Sequence, residues 1–183
     1  MSHTIYTTDA IVLHRVSTSE ADATLWLLTA ELGLVVARAQ GARKSTAKMR
    51  GYLQLFSVLR ISMVRGKHTW RVTGAESVQG APLDTLALQG EALSIFARIS
   101  AFVRRMILTD TQSALELFEI VLSARVALAA GQDPQVVELT TLAKVLISLG
   151  YIESATLSKM EHNQITQREL THIVNSAIVE SHL

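Results

Sequence analysis

The apolar pattern of this 183-residue chain changes its period once, near Gly80, Ala81 and Pro82. Before that point, β-branched and aromatic residues come in short runs separated by glycines. After it, apolar residues recur at steps of three and four. A period of two suits a strand and a period near 3.6 suits a helix, and neither pattern settles as the other. The chain therefore reads as a β module, residues 1–80, followed by an all-α module, residues 81–183.

Five strands are expected in the first part. One runs from about Ile5 to Val16 around Ile11, Val12 and Leu13, and a second from Ala23 to Thr29. Glu31, Leu32 and Gly33 read as a turn, because glycine tolerates positive φ, and Leu34 to Arg38 completes a hairpin. A fourth strand is expected from Leu53 to Val64, its imperfect alternation suggesting a bulge. After a turn at Arg65, Gly66 and Lys67, a fifth starts at His68 to Val72. Short strands, glycine turns and no crossover helix indicate a small antiparallel barrel, a size at which OB-folds are common.

Four helices are expected in the second part. Ala92, Phe96, Ile99, Val103 and Met106 form one apolar stripe. Leu115, Phe118, Leu122, Val126 and Ala129 form a second, stopped at Gly131. Asp133 and Pro134 make a helix start, followed by Val136, Leu139, Ala143 and Leu146, with Gly150 as terminator. Thr166 and Glu169 make a capping box that opens a last helix, with Leu170, Ile173, Val174 and Ala177 inward.

Composition narrows the function classes. There are no cysteines, which excludes disulfides, thiolate nucleophiles and Cys-ligated zinc. Residues 1–6 show no basic flank before an apolar run, and no uncharged apolar stretch approaches the roughly 18 residues of a membrane span. No membrane association is expected, and the expected location is the cytoplasm, at the nucleoid. The net charge of +1 hides an asymmetry: residues 1–80 carry ten Lys and Arg against five acids, and residues 81–183 carry seven against eleven. A basic module attracts phosphates by counterion release, whatever the sequence they belong to.

The basic residues concentrate in one segment. Arg38, Arg43, Lys44, Lys48 and Arg50 fall within thirteen residues that contain no acid. Gly41 breaks the strand there, and the segment is not a Walker loop. Such a loop can present cations to a nucleic-acid backbone. Single-strand binders also need rings on which bases stack. Tyr6, Trp26, Tyr52, Phe56 and Trp70 are the candidates. Trp26 sits in the apolar run Leu25 to Leu28 and is expected to be the most buried. Trp70, next to Arg71, and Tyr52, just after Arg50, are expected near the basic surface. Catalytic patterns are missing: the six histidines are scattered, and neither Gly-x-Ser-x-Gly nor an Asp-x-Asp metal motif occurs. No catalytic residue, metal ligand or cofactor is expected.

Several segments, taken in order, resemble the RecO family. Thr8 to His14 is followed by Ser19 to Thr29 and by Leu32 and Gly33. Then come Ala39 to Ser45, which contains Gly-Ala-Arg-Lys, and Arg50 to Phe56, where Leu55 replaces the family's proline. The helical sequence Leu139 to Leu149, ending in Gly150 and Tyr151, is similar to the family's Leu-Gly-Tyr helix end. The likeness spans residues 5–152. It implies an N-terminal OB-fold, a C-terminal helical domain and a role as a non-catalytic recombination mediator in DNA repair. That role is to bind single-stranded DNA, help load the recombinase RecA and anneal strands, with RecR-like and SSB proteins as partners. Many members carry a four-cysteine zinc module after the Leu-Gly-Tyr element, whereas here Tyr151 leads to His162 without a cysteine. The expected nucleic-acid-binding residues are Arg38, Arg43, Lys44, Lys48, Arg50, Tyr52 and Trp70. The rival expectation is a protein-interaction scaffold, or a general single-strand binder without mediator activity.

Overall fold

The structure, a computed structural model, describes residues 4–18, 22–40, 51–67, 69–78, 88–107, 114–162 and 164–181. The chain divides into two compact units, Met1–Thr85 with Ile107–Phe118, and Leu86–Met106 with Glu119–Leu183.

The first unit holds strands β1 (Ile5–Ser17), β2 (Ala23–Thr29), β3 (Gly33–Ala39), β4 (Val58–Arg65) and β5 (Trp70–Ser77). They close into a barrel in the order β1-β2-β3-β5-β4. β1 is long enough to serve two neighbours. Residues from Ile5 to Ile11 pair with β4, and residues from Ala10 to Ser17 pair with β2. A bulge between Val12 and His14 bends the strand where it changes partner. The barrel is mixed, not wholly antiparallel: β3 and β5 run parallel, joining Ala37 to Trp70 and Arg38 to Arg71. A parallel neighbour needs a long crossover, and the chain between β3 and β5 supplies it, with β4 on the way.

Alternation builds the barrel interior. Leu25 and Leu27 of β2, Val35, Ala37 and Ala39 of β3, and Leu59, Ile61 and Met63 of β4 point into one buried cluster. Burying a leucine or isoleucine fully contributes roughly 1.5–3 kcal/mol each, so these rows dominate the unit's stability. The β2–β3 turn is the expected one. Gly33 takes φ 66°, and the buried Thr29 hydroxyl accepts from the Leu32 N–H and donates to the Gly33 carbonyl, both at 2.9 Å.

β4 begins at Val58 rather than Leu53. Residues 51–52 are helical and 53–57 form a turn. Phe56 adopts φ 66°, and the Ser57 hydroxyl donates to the carbonyls of Tyr52 and Gln54. Leu53 and Phe56 are buried while Leu55 is exposed, so their spacing belongs to a local turn and not to a strand. The bulge expected in this strand lies between Ser62 and Met63, opposite β5. His68 lies outside the described residues, and β5 starts at Trp70.

Five helices are described: α1 (Gly90–Met106), α2 (Ala114–Ala129), α3 (Pro134–Ser148), α4 (Ala155–Glu161) and α5 (Gln167–Glu180). The expected four omitted α4, a seven-residue helix whose N-cap Ser154 makes no side-chain cap bond. In the second unit α3 packs against α1, α4 and α5. Leu146, Ala143, Met106, Leu170, Val174 and Ala177 form the shared core. Asp133 caps α3 through the N–H groups of Gln135 and Val136, at 2.9 and 3.0 Å. Thr166 and Glu169 form the expected capping box on α5. Two stripes are shifted in phase. α2 buries Leu117, Phe118, Val121, Ala124 and Leu128, leaving Leu115 and Val126 exposed, and α3 buries Val137 in place of Val136. α2 is apolar nearly all round, so periodicity alone cannot choose its inner face.

Candidate nucleic-acid interface

The β3–β5 closure brings cations together at one end of the barrel. Arg38 and Arg71 lie directly opposite each other across the parallel pair, and Arg71 lies opposite Val64 of β4. Both arginines are exposed and Val64 is buried. A cavity of about 410 Å³ opens here, lined by Arg38, Gln40, Val64, Arg65, Gly66, Lys67, Thr69 and Arg71. Four of these residues are cationic and none is acidic. The β4–β5 turn shapes the rim. The Gly66 N–H donates to the Thr69 carbonyl at 3.0 Å, and a Cβ on Gly66 would stand 2.7 Å from that oxygen.

Aromatic rings sit beside the cations. The Arg65 guanidinium lies 5.8 Å from the centroid of the Trp70 ring, within cation–π range. Tyr6 meets Trp70 edge to face, with centroids 5.1 Å apart. Trp70 also packs against the barrel core. A different arginine shows what a neutralised cation looks like in this barrel. Arg60 bonds Asp9 through two nitrogens, at 2.9 and 3.3 Å, and this hydrogen bonding, followed by the charge attraction, holds its pKa above the ordinary value.

The family model "Recombination protein O N terminal" matches residues 1–81. A DNA repair protein RecO from Dehalococcoides mccartyi strain BAV1 is 30% identical over 146 residues, covering 80% of this chain and 56% of that protein. A DNA repair protein RecO from Heliobacterium modesticaldum is 32% identical over 155 residues, covering 84% of this chain and 54% of that protein. The chain belongs to the RecO family. This RecO-family chain spans about half the length of those curated relatives.

The structure places the expected site residues of this RecO-family chain unevenly. Arg38 lines the cavity, and Trp70 stands beside it, touching Arg65. Tyr52 is half-buried against the barrel core and is not among the cavity's described lining residues. Arg43, Lys44, Lys48 and Arg50 lie outside the described residues. Trp26, expected to be the most buried ring, is only half-buried. Its neighbours Leu25 and Leu27 point inward, so alternation turns Trp26 to the outer face, where its ring meets His14 at 5.0 Å. Arg65, Lys67 and Arg71 line the cavity and were not among the expected residues. The charge argument used for residues 38–50 would have found them, since Arg65, Lys67 and Arg71 bracket Trp70 without an acid.

The zinc module of many RecO proteins does not fit this chain's donors. There is no cysteine, and among the described residues no three His, Asp or Glu side chains gather as a metal site. Where such a module would follow Tyr151, α4 and the apolar residues Ile152, Met160 and Ile165 pack on the core of the second unit.

Proposed function

We propose that this chain is a non-catalytic recombination mediator whose barrel binds single-stranded DNA. In the whole protein it helps load RecA-type recombinase and anneal strands, working with RecR-like and SSB proteins in the cytoplasm. The observation that carries this reading is a cavity whose described lining residues include four cations and no acid, with Arg38 and Arg71 side by side and Arg65 and Lys67 on its rim. A fold gains nothing from opposing like charges, whereas a phosphate backbone pairs with them. Gln40 lines the same cavity and is followed in the chain by the basic residues Arg43, Lys44, Lys48 and Arg50, which we assign to the same surface. Tyr52 and Trp70 complete the proposed binding set. We also place the division of labour at about residue 80, between a basic DNA-binding part and an acidic helical part. No described helix is long and apolar enough to cross a membrane.

A second reading, a protein-interaction scaffold, draws on another cavity. Lys159, Gln164, Ile165, Arg168, Glu169, His172 and Ile173 line a space of about 600 Å³ in the helical unit. Lys159 and Arg168 in its lining suit an acidic peptide, which is the chemistry of an SSB tail. Fluorescence polarisation with labelled oligothymidylate and with an acidic SSB-tail peptide separates the readings. The mediator reading expects both to bind. Peptide binding alone would favour the scaffold, and binding of neither would remove both.

A further inference from the structure

We propose that Tyr6 is the ring on which a nucleobase stacks, and that Trp70 is its buttress and not a platform. This rests on the single-strand reading above and goes on to assign the base contact. Among the described aromatic residues of the barrel, Tyr6 is the one exposed to solvent, at 39%. Trp70 is half-buried and held from several sides: it packs on the barrel core, carries Arg65 at 5.8 Å and meets Tyr6 edge to face. Its area is committed, and what it does is fix the angle of Tyr6 and the position of Arg65.

The register explains why a ring is useful there. Ile5, Val64, Arg71 and Arg38 are successive partners across β1, β4, β5 and β3, so they form one row on the outside of the barrel. One end of that row is Ile5, 62% exposed; Tyr6 alternates to the other face of β1, where its partner Met63 points into the barrel, so its ring stands at the barrel end with Trp70. The other end is the two arginines. Neighbouring strands are about 4.8 Å apart, so the row from Ile5 to Arg38 spans roughly 14 Å. An extended strand that passes over the end of the barrel can lay a base on Tyr6 while its neighbouring phosphates reach Arg65 and, round the edge, Arg71. Stacking of this kind is tolerant of base identity, because every base has a π face.

The test uses two probes of equal length, oligothymidylate and an abasic deoxyribose-phosphate oligomer, with the full chain. Tyr6→Leu should weaken oligothymidylate binding about five- to tenfold and leave abasic binding unchanged. The slope of log affinity against log salt should not change, since no phosphate contact is lost. Tyr6→Phe should stay within about twofold of the parent, because the ring is kept. Unchanged abasic binding also shows that the Tyr6→Leu barrel is folded. Equal losses on both probes, or no loss on oligothymidylate, would overturn the assignment of Tyr6 while leaving the single-strand reading standing. Failure of the parent chain to bind either probe would remove that reading, and this one with it.

Discussion

Arg38 and Arg71 face each other in the parallel pair that closes the barrel. Like charges directly opposite in a sheet cost a few tenths of a kcal/mol up to about 1 kcal/mol. Arg71→Ala should therefore raise the thermal midpoint slightly or leave it unchanged, while weakening oligonucleotide binding. A clear drop in the midpoint would mean that Arg71 supports the fold instead. Gly66 gives the opposite kind of prediction. A methyl group there meets the Thr69 carbonyl at 2.7 Å, so the β4–β5 turn must shift. Gly66→Ala should lower stability by roughly 1–2 kcal/mol and loosen DNA binding with it, as denaturant melts and polarisation would show. At this scale the sequence was half legible. Arg38 and Trp70 are visible from clustering alone. The pairing of Arg38 with Arg71, 33 positions further on, needs the strand order, and a linear charge count cannot supply that.

Elements with strong local signals matched their expected bounds. β2 runs over the residues expected of it, because Ala23 to Thr29 is apolar and is followed by a turn that a single glycine and Thr29 hold. α3 and α5 start where their caps say. Asp133→Ala should cost about 1 kcal/mol, read as a shift in the denaturant midpoint. Glu169 adds a pH dependence. The Thr166 N–H and then the Thr166 hydroxyl bond its carboxylate, which lowers its pKa below the ordinary value. The stabilisation is fully present above the ordinary carboxylate pKa and is lost as pH falls through the lowered one. NMR titration of the Glu169 carboxyl should give a midpoint below the ordinary glutamate value. A midpoint at or above that value would contradict the capping box. Elements with ambiguous signals were misread for physical reasons. Leu53 and Leu55 imitate a strand, yet a left-handed Phe56 and the Ser57 hydroxyl turn the chain there. α2 has no polar face sharp enough to set its phase.

On the scale of the whole molecule, a basic barrel and an acidic helical part follow one another in a single chain. The helical part has no cysteine to offer a metal and is held by Leu146, Leu170, Val174 and Ala177. Purified protein should contain less than stoichiometric zinc, and EDTA should not move its thermal midpoint. An EDTA-induced fall in the midpoint would mean that this part is held by more than apolar packing. The central claim, that the cationic end of the barrel grips a single strand, is tested most directly by the salt dependence of oligothymidylate affinity. The parent chain should lose affinity steeply with salt, and Arg38→Ala with Arg71→Ala should flatten the log–log slope by roughly 0.7 per lost phosphate contact. A double variant with the parent's affinity and slope would contradict the claim.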